Sequence, residues 1–166
     1  VIITHGNGPQ VGAINIAMGE LHRLYPDDPK IPLATCVAMS QGYIGCDLQN
    51  VLREELLNRG INKEVSTIIT NVCVDENDEA FMNPTKPIGK FLDKKEAEEL
   101  TANGEKIMAD SGRGYRRVVA SPKPIDIVEI ESIKTLLNAG HVVIAGGGGG
   151  TPVIKQGNHL KKVEAV

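Results

Sequence analysis

Thr4-His5-Gly6-Asn7-Gly8-Pro9-Gln10-Val11-Gly12 follows the apolar run Val1-Ile2-Ile3. Its residue types suit anion binding by backbone rather than by side-chain charge. Glycine lets the backbone approach a ligand and take positive φ. Proline fits the first helical position, where its missing N–H costs nothing. A helix opening there points free N–H groups and its positive dipole end back at the turn. Such a turn would hold a phosphate or a carboxylate. By itself the string also fits a tight strand-to-helix connection with no ligand. Its G-x-G-x-x-x-G spacing is one residue off the dinucleotide fingerprint, with no strand-end acid about 20 residues on. No G-x-x-x-x-G-K-[ST] string occurs.

A second glycine run, Gly146 to Gly150, follows the apolar stretch His141–Ala145. Consecutive glycines at a strand end let backbone amides face a ligand at the carboxyl edge of a sheet. Lys86 sits in Asn83-Pro84-Thr85-Lys86-Pro87-Ile88-Gly89, where two prolines restrict the backbone around a candidate positioned charge. Arg113, Arg116, Arg117 and Lys123 read as surface charges. Arg113 and Arg116 fit either binding of an oxyanion or pinning of their segment to Asp110 or Asp126, with the structural role favoured, and Arg117 is expected to be exposed. His5 is expected to support the turn rather than to bind ligand.

The elements that must position these residues alternate between strand and helix, the mark of an α/β protein with a parallel sheet. Val1–Thr4 reads as a strand buried on both faces. Helices are expected from Pro9 to Leu24 and from Ala34 to Asn58, the second stopping at Gly60. Val37, Ile44, Leu48, Val51, Leu52 and Leu56 form part of its apolar stripe. Gly42 and Gly45 inside it each cost ~1 kcal/mol relative to alanine and suggest close packing by another element. Val65–Val74 reads as one β-branched strand. Residues 75–126 are polar and proline-punctuated, with a short helix near Asp93–Asn103. Asp93 and Glu96 fit a capping box there, and Gly104 fits the stop. A connection of this length inside an α/β domain reads as an inserted subdomain. A helix near Val128–Asn138 stops at Gly140, and a hairpin turns at Gly157-Asn158.

Composition narrows the function classes. The 166 residues carry 18 Lys and Arg against 21 Asp and Glu, a net charge of −3 with both signs interspersed. That argues against nucleic acid or a membrane surface as the main partner. No apolar run approaches the ~20 residues of a membrane-spanning helix, and no signal-peptide pattern is read. Cys36, Cys46 and Cys73 show no metal spacing and read as buried reduced thiols of a cytosolic protein.

Taken together, the strings resemble the carbamate kinases of the amino-acid kinase superfamily. Those that carry the match are His5-Gly6-Asn7-Gly8-Pro9-Gln10-Val11-Gly12, Met39-Ser40-Gln41-Gly42-Tyr43-Ile44-Gly45 and Asn83-Pro84-Thr85-Lys86-Pro87-Ile88-Gly89. With them stand Ser111-Gly112-Arg113-Gly114-Tyr115-Arg116, Ser121-Pro122-Lys123-Pro124-Ile125-Asp126-Ile127 and Gly146–Gly150-Thr151-Pro152. The resemblance runs along essentially the whole chain, in family order. It implies a three-layer α/β/α sandwich with a mainly parallel sheet, an incomplete amino-acid kinase fold. Residues 1–74 and 127–166 would form the core, and 75–126 the protruding lid.

The resemblance implies reversible phosphoryl transfer between ATP and carbamate, giving ADP and carbamoyl phosphate, usually run toward ATP in arginine breakdown. Lys86 matches the family's lid lysine and is the expected catalytic residue. Gly6, Asn7 and Gly8 would hold carbamate and the phosphoryl oxygens, with Gly146, Gly147 and Gly148 on the opposite wall. ATP or ADP and Mg²⁺ are the expected cofactors, with no dedicated metal cage in the chain. A cytoplasmic homodimer built on the helix Ala34–Asn58 is expected, with no nucleic-acid or membrane partner. The family also has an opening Gly-Gly-Asn-Ala turn, a second catalytic lysine beyond the position of Val166, and a C-terminal half holding most of the nucleotide. The chain therefore reads as about half of such an enzyme, inactive alone. Two alternatives stand beside this reading. One is a sister kinase acting on acetylglutamate, aspartate or uridylate. The other is a non-catalytic anion-binding or assembly module.

Overall fold

The computed structural model describes residues 1–110 and 112–166. Ser111, which opens one of the strings above, lies outside the described residues. At the centre is β8 (Val142–Ile144), three consecutive β-branched residues, all buried. β1 (Ile2–Ile3) and β2 (Val65–Thr67) flank it, both parallel to it. Successive side chains of a strand point to opposite faces, and each face of β8 has its own helix. Val142 and Ile144 pack with Val65 under Leu48, Leu52 and Leu56 of α2 (Leu33–Asn58). Val143 and Ala145 pack with Ile133, Leu136 and Leu137 of α4 (Ile130–Asn138). The result is helix, sheet, helix, the three layers expected.

A second sheet has the order β10-β9-β3-β7, from β3 (Asn71–Val74), β7 (Pro124–Ile127), β9 (Thr151–Gln156) and β10 (His159–Lys162). β3 and β9 are parallel, and the other two pairings are antiparallel. Gly157, at φ 61°, turns the β9–β10 hairpin. A third sheet, β4-β6-β5, is antiparallel. It comprises β4 (Lys86–Leu92), β5 (Ile107–Ala109) and β6 (Tyr115–Val119), with α3 (Lys94–Ala102) between β4 and β5 in the chain.

Three helices end alike. After α2, α3 and α4 a glycine at positive φ (Gly60, Gly104, Gly140) donates its N–H to a carbonyl of the last turn. The next residue closes a wider bond, Ile61 to Leu56, Glu105 to Leu100 and His141 to Leu136. This pairing satisfies carbonyls that the helix end would otherwise leave open. At the start of α3, Asp93 and Glu96 form both bonds of the expected capping box.

Four expectations are corrected. β1 is not buried on both faces: among the described residues it pairs only with β8, and Ile2 is 55% exposed. Val65–Val74 is not one strand. After Thr67 the chain leaves the first sheet, and at Asn71 it joins the second, because Thr70 spends its backbone groups on Gln41 and Thr151. Cys46 is exposed, unlike Cys36 and Cys73. Arg117 is not an exposed charge, with its side chain 25% exposed. It bonds Asn15 of α1 (Gly8–Leu24), and its Nε lies 2.5 Å from Glu105.

Candidate functional site

β1 and β8 are adjacent and parallel, so the turns that follow them emerge side by side at one edge of the sheet. Several bonds lock the two turns together. Thr4 donates its hydroxyl to the Gly146 carbonyl (3.1 Å), and Gly148 donates its backbone N–H to the His5 carbonyl (2.8 Å). The glycines are required by this interlock. A Cβ on Gly147 would meet the His5 ring 2.5 Å from Cε1, and one on Gly148 would collide with the Asn7 amide. Gly146, Gly148, Gly149 and Gly150 all have φ between 64° and 91°, a region that side chains disfavour.

One cavity of about 410 Å³ is lined by His5, Gly6, Asn7, Gly8, Lys86 and Gly148, with Gly149, Gly150, Ser121 and Pro122 among its other walls. Of the residues singled out in the sequence, Lys86, Gly6, Asn7, Gly8 and Gly148 thus share one space. Gly146 and Gly147 are not in its wall, and Gly147 is buried against His5 and Gln41.

α1 begins without a side-chain cap and without an acidic residue in its first turn. Asn7 stands at the N-cap position, where asparagine usually accepts from the helix N–H groups. Here its Nδ2 instead donates to Ser40 Oγ of α2 at 2.9 Å, and Ser40 Oγ donates on to the Val37 carbonyl. The backbone N–H groups of Gly6, Asn7 and Gly8 have no acceptor among the described residues. Free backbone N–H groups at and just before a helix start, in residues that line one cavity with a lysine, are donors of the kind an oxyanion takes. His5 turns Nδ1 to the Gly6 carbonyl (2.9 Å), consistent with support of the turn.

Sequence reading gave no role to Gln41, which organises the floor behind the glycine run. It is 1% exposed. Its Oε1 accepts from the Thr70 N–H (2.8 Å), and its Nε2 donates to the Thr70 carbonyl (3.1 Å) and to Thr151 Oγ1 (3.0 Å). Thr70 Oγ1 in turn accepts from the Gly146 N–H (2.9 Å). The one legible signal was a glutamine beside the small residues Ser40 and Gly42 of α2, four residues after Val37 and three before Ile44 and so on the apolar stripe itself. The arginines hold the small sheet as expected: Arg113 reaches Asp110 at 3.2 Å, Arg116 reaches it at 3.8 Å, and both lie over the Phe91 ring.

A larger cavity, about 530 Å³, lies between α1 and β4 and contains neither glycine turn nor Lys86. Arg23 with Glu20, and Arg117 with Glu105, pair with each other in its wall. It is set apart from the chemistry on that ground. Asp78 supports the first cavity from outside. Its carboxylate accepts from the N–H groups of Ala80 and Lys123, both at 2.9 Å, which holds its pKa below the ordinary carboxylate value. Lys123 follows Ser121 and Pro122 of the cavity wall.

No protein-family model matches the chain. Over 166 residues and its full length it is 61% identical to the carbamate kinase-like protein YqeA of Escherichia coli K12. Over 167 residues it is 56% identical to the carbamate kinase of Clostridium perfringens strain 13. The chain spans about half the length of these curated relatives, 54% and 53%. Among solved structures, carbamate kinase from Giardia lamblia bound to citric acid superposes with a TM-score of 0.91 at 40% identity. All of this chain and 53% of that one are covered. The same enzyme bound to AMP-PNP gives 0.83 at 39% identity, covering all of this chain and 52% of that one. By sequence and by fold, the chain is similar along its whole length to about half of a carbamate kinase.

Proposed function

We propose that the protein carrying this chain transfers a phosphoryl group reversibly between ATP and carbamate, forming ADP and carbamoyl phosphate. The observation that carries the reading is the shared cavity, lined both by Lys86 and by Gly6, Asn7 and Gly8, whose backbone N–H groups have no acceptor among the described residues. A carbamate oxygen attacks the terminal phosphorus, and the bond to the bridging oxygen of ADP breaks. Little covalent work falls to the protein, so positioning and charge stabilisation dominate. The three amides hold oxygens of the carbamate and of the phosphoryl group. Lys86 answers the charge that spreads over the phosphoryl oxygens in the transition state. Gly148 and its neighbours close the opposite wall, while Gly146 and Gly147 shape it from behind.

Mg²⁺ enters this reading with the nucleotide, since that ion is usually held by phosphates and one or two carboxylates. Among the described residues no group of three or more His, Cys, Asp or Glu could hold a metal ion, so its ligands are not assigned to this chain and no step is routed through it. Residues 75–126, which hold the β4-β6-β5 sheet and α3, are read as a lid that keeps water from a product prone to hydrolysis.

The protein is further read as a cytoplasmic homodimer serving arginine breakdown. Support for the dimer comes from the outer side of α2, where Met39, Tyr43, Val51 and Leu57 are exposed. Gly45 does not contribute to it, because Thr67 of the same chain fills the space above that glycine. No described helix is long and apolar enough to cross a membrane.

The test is a coupled assay of the whole protein for ATP from ADP and carbamoyl phosphate, run beside acetylglutamate, aspartate and uridylate as phosphoryl acceptors. ATP formation from carbamoyl phosphate supports the reading. Turnover of another acceptor assigns a sister activity, and anion binding without turnover assigns a binding module.

A further inference from the structure

Gly12 of α1 and Gly89 of β4 touch backbone to backbone. A Cβ built on Gly12 would stand 2.6 Å from the Gly89 nitrogen and closer still to its Cα, with no side chain free to swing aside. Gly89 has φ 72° and sits where the β4–β6 register slips, between Ile88 and Leu92. Its carbonyl accepts from Arg116 Nη2 at 2.9 Å. Next to it, Ile88 is buried in one cluster with Val11 of α1 and Leu33, Cys36 and Val37 of α2. Arg117, paired with Ile88 across the ladder, bonds Asn15 one turn further along α1. β4 is thus seated on α1 at Gly12 and fastened on both sides of that contact.

The two ends of this seat lie in the reacting cavity. Gly8, one helical turn before Gly12, carries one of the three free amides. Lys86, three residues before Gly89, stands in the same cavity wall. We infer that Gly12 is a positioning residue: its lack of a side chain sets how closely β4 approaches α1, and so sets the separation of Lys86 from the Gly6–Gly8 amides. This inference rests on the role proposed for Lys86. A displacement of about 1 Å in a reacting site lowers rates on the order of a hundredfold, so one methyl group at position 12 has a measurable consequence.

The test uses the whole protein and helix-interior Gly→Ala changes at two places. Alanine is the better helix former at both, but Gly19 has nothing within 4 Å of its would-be Cβ. Gly19→Ala is expected to keep wild-type kcat. Gly12→Ala is expected to lower kcat by roughly tenfold to a hundredfold with nucleotide Kd unchanged. In the Lys86→Ala background, Gly12→Ala is expected to cause no further loss, because the group it misplaces is gone. A change acting through general loosening would cause the same fold loss in both backgrounds, and that result overturns the inference. So does a Gly12→Ala protein with wild-type kcat beside a damaged Lys86→Ala. A Lys86→Ala protein as fast as wild type overturns the role of Lys86 and this inference with it. If thermal unfolding shows that Gly12→Ala does not fold, Asn15→Ala replaces it. That change removes the Arg117 bond at the same junction without adding bulk, and must show the same non-additivity with Lys86→Ala.

Discussion

Asn7 donates its side-chain amide to Ser40 Oγ at 2.9 Å, bridging the start of α1 to α2. A residue type that would cap a helix is thereby turned away from it. The first N–H groups of α1 remain free for a ligand as long as this bond holds.

Ser40→Ala removes that anchor. Asn7 is then free to turn its oxygen toward the Gln10 N–H and compete with the ligand. The whole protein is expected to show KM for carbamoyl phosphate raised roughly fivefold, the factor that ~1 kcal/mol of lost binding gives. The fall in kcat should be smaller. Steady-state kinetics decide this, and an unchanged KM would show that Asn7 does not govern access to the turn.

Gln41→Leu keeps volume but abandons the Thr70 peptide and the Thr151 hydroxyl in a buried place. The Thr70 carbonyl keeps its bond from the Thr151 N–H, so two groups lose their partner; at about 1–3 kcal/mol each, a loss of roughly 2–6 kcal/mol is expected. The urea midpoint of the whole protein should fall accordingly. A midpoint within error of wild type would contradict the role given to Gln41.

The helix ends were legible because their chemistry is local. Gly60, Gly104 and Gly140 close the helices before them, and Asp93 with Glu96 opens α3. The two glycine turns were legible for the same reason, since each directly follows an apolar strand. Gln41 was not, because its partners lie 29 and 110 residues away and meet it only in the folded chain. Arg117 read as a surface charge because nothing near it in sequence shows Asn15, 102 residues distant. The break between β2 and β3 was hidden by a run rich in β-branched residues, Val65 to Val74. There tertiary partners, not propensity, decide where one sheet ends and the next begins.

Asp78 links solvent pH to the cavity wall. Its carboxyl titrates below the ordinary value because the Ala80 and Lys123 N–H groups, in that order of effect, stabilise the charged form. A lowered folded pKa means its contribution is fully present above the unfolded value of about 4 and is lost as pH falls through the folded value. The Lys123 and Ala80 amides should therefore shift together in acid, followed by ¹H–¹⁵N NMR. In Asp78→Asn that shared step should vanish. A step that persists in the variant would assign it to another group.

Lys86→Ala in the whole protein is the most direct test of the account. Lys86 is assigned to the moving phosphoryl group, whose charge changes only on the way to the transition state, so its loss must appear in kcat rather than in nucleotide binding. The coupled assay for ATP from ADP and carbamoyl phosphate should show kcat lowered on the order of a hundredfold, about 3 kcal/mol, with nucleotide Kd unchanged. A Lys86→Ala protein that turns over at the wild-type rate would contradict the account at its centre.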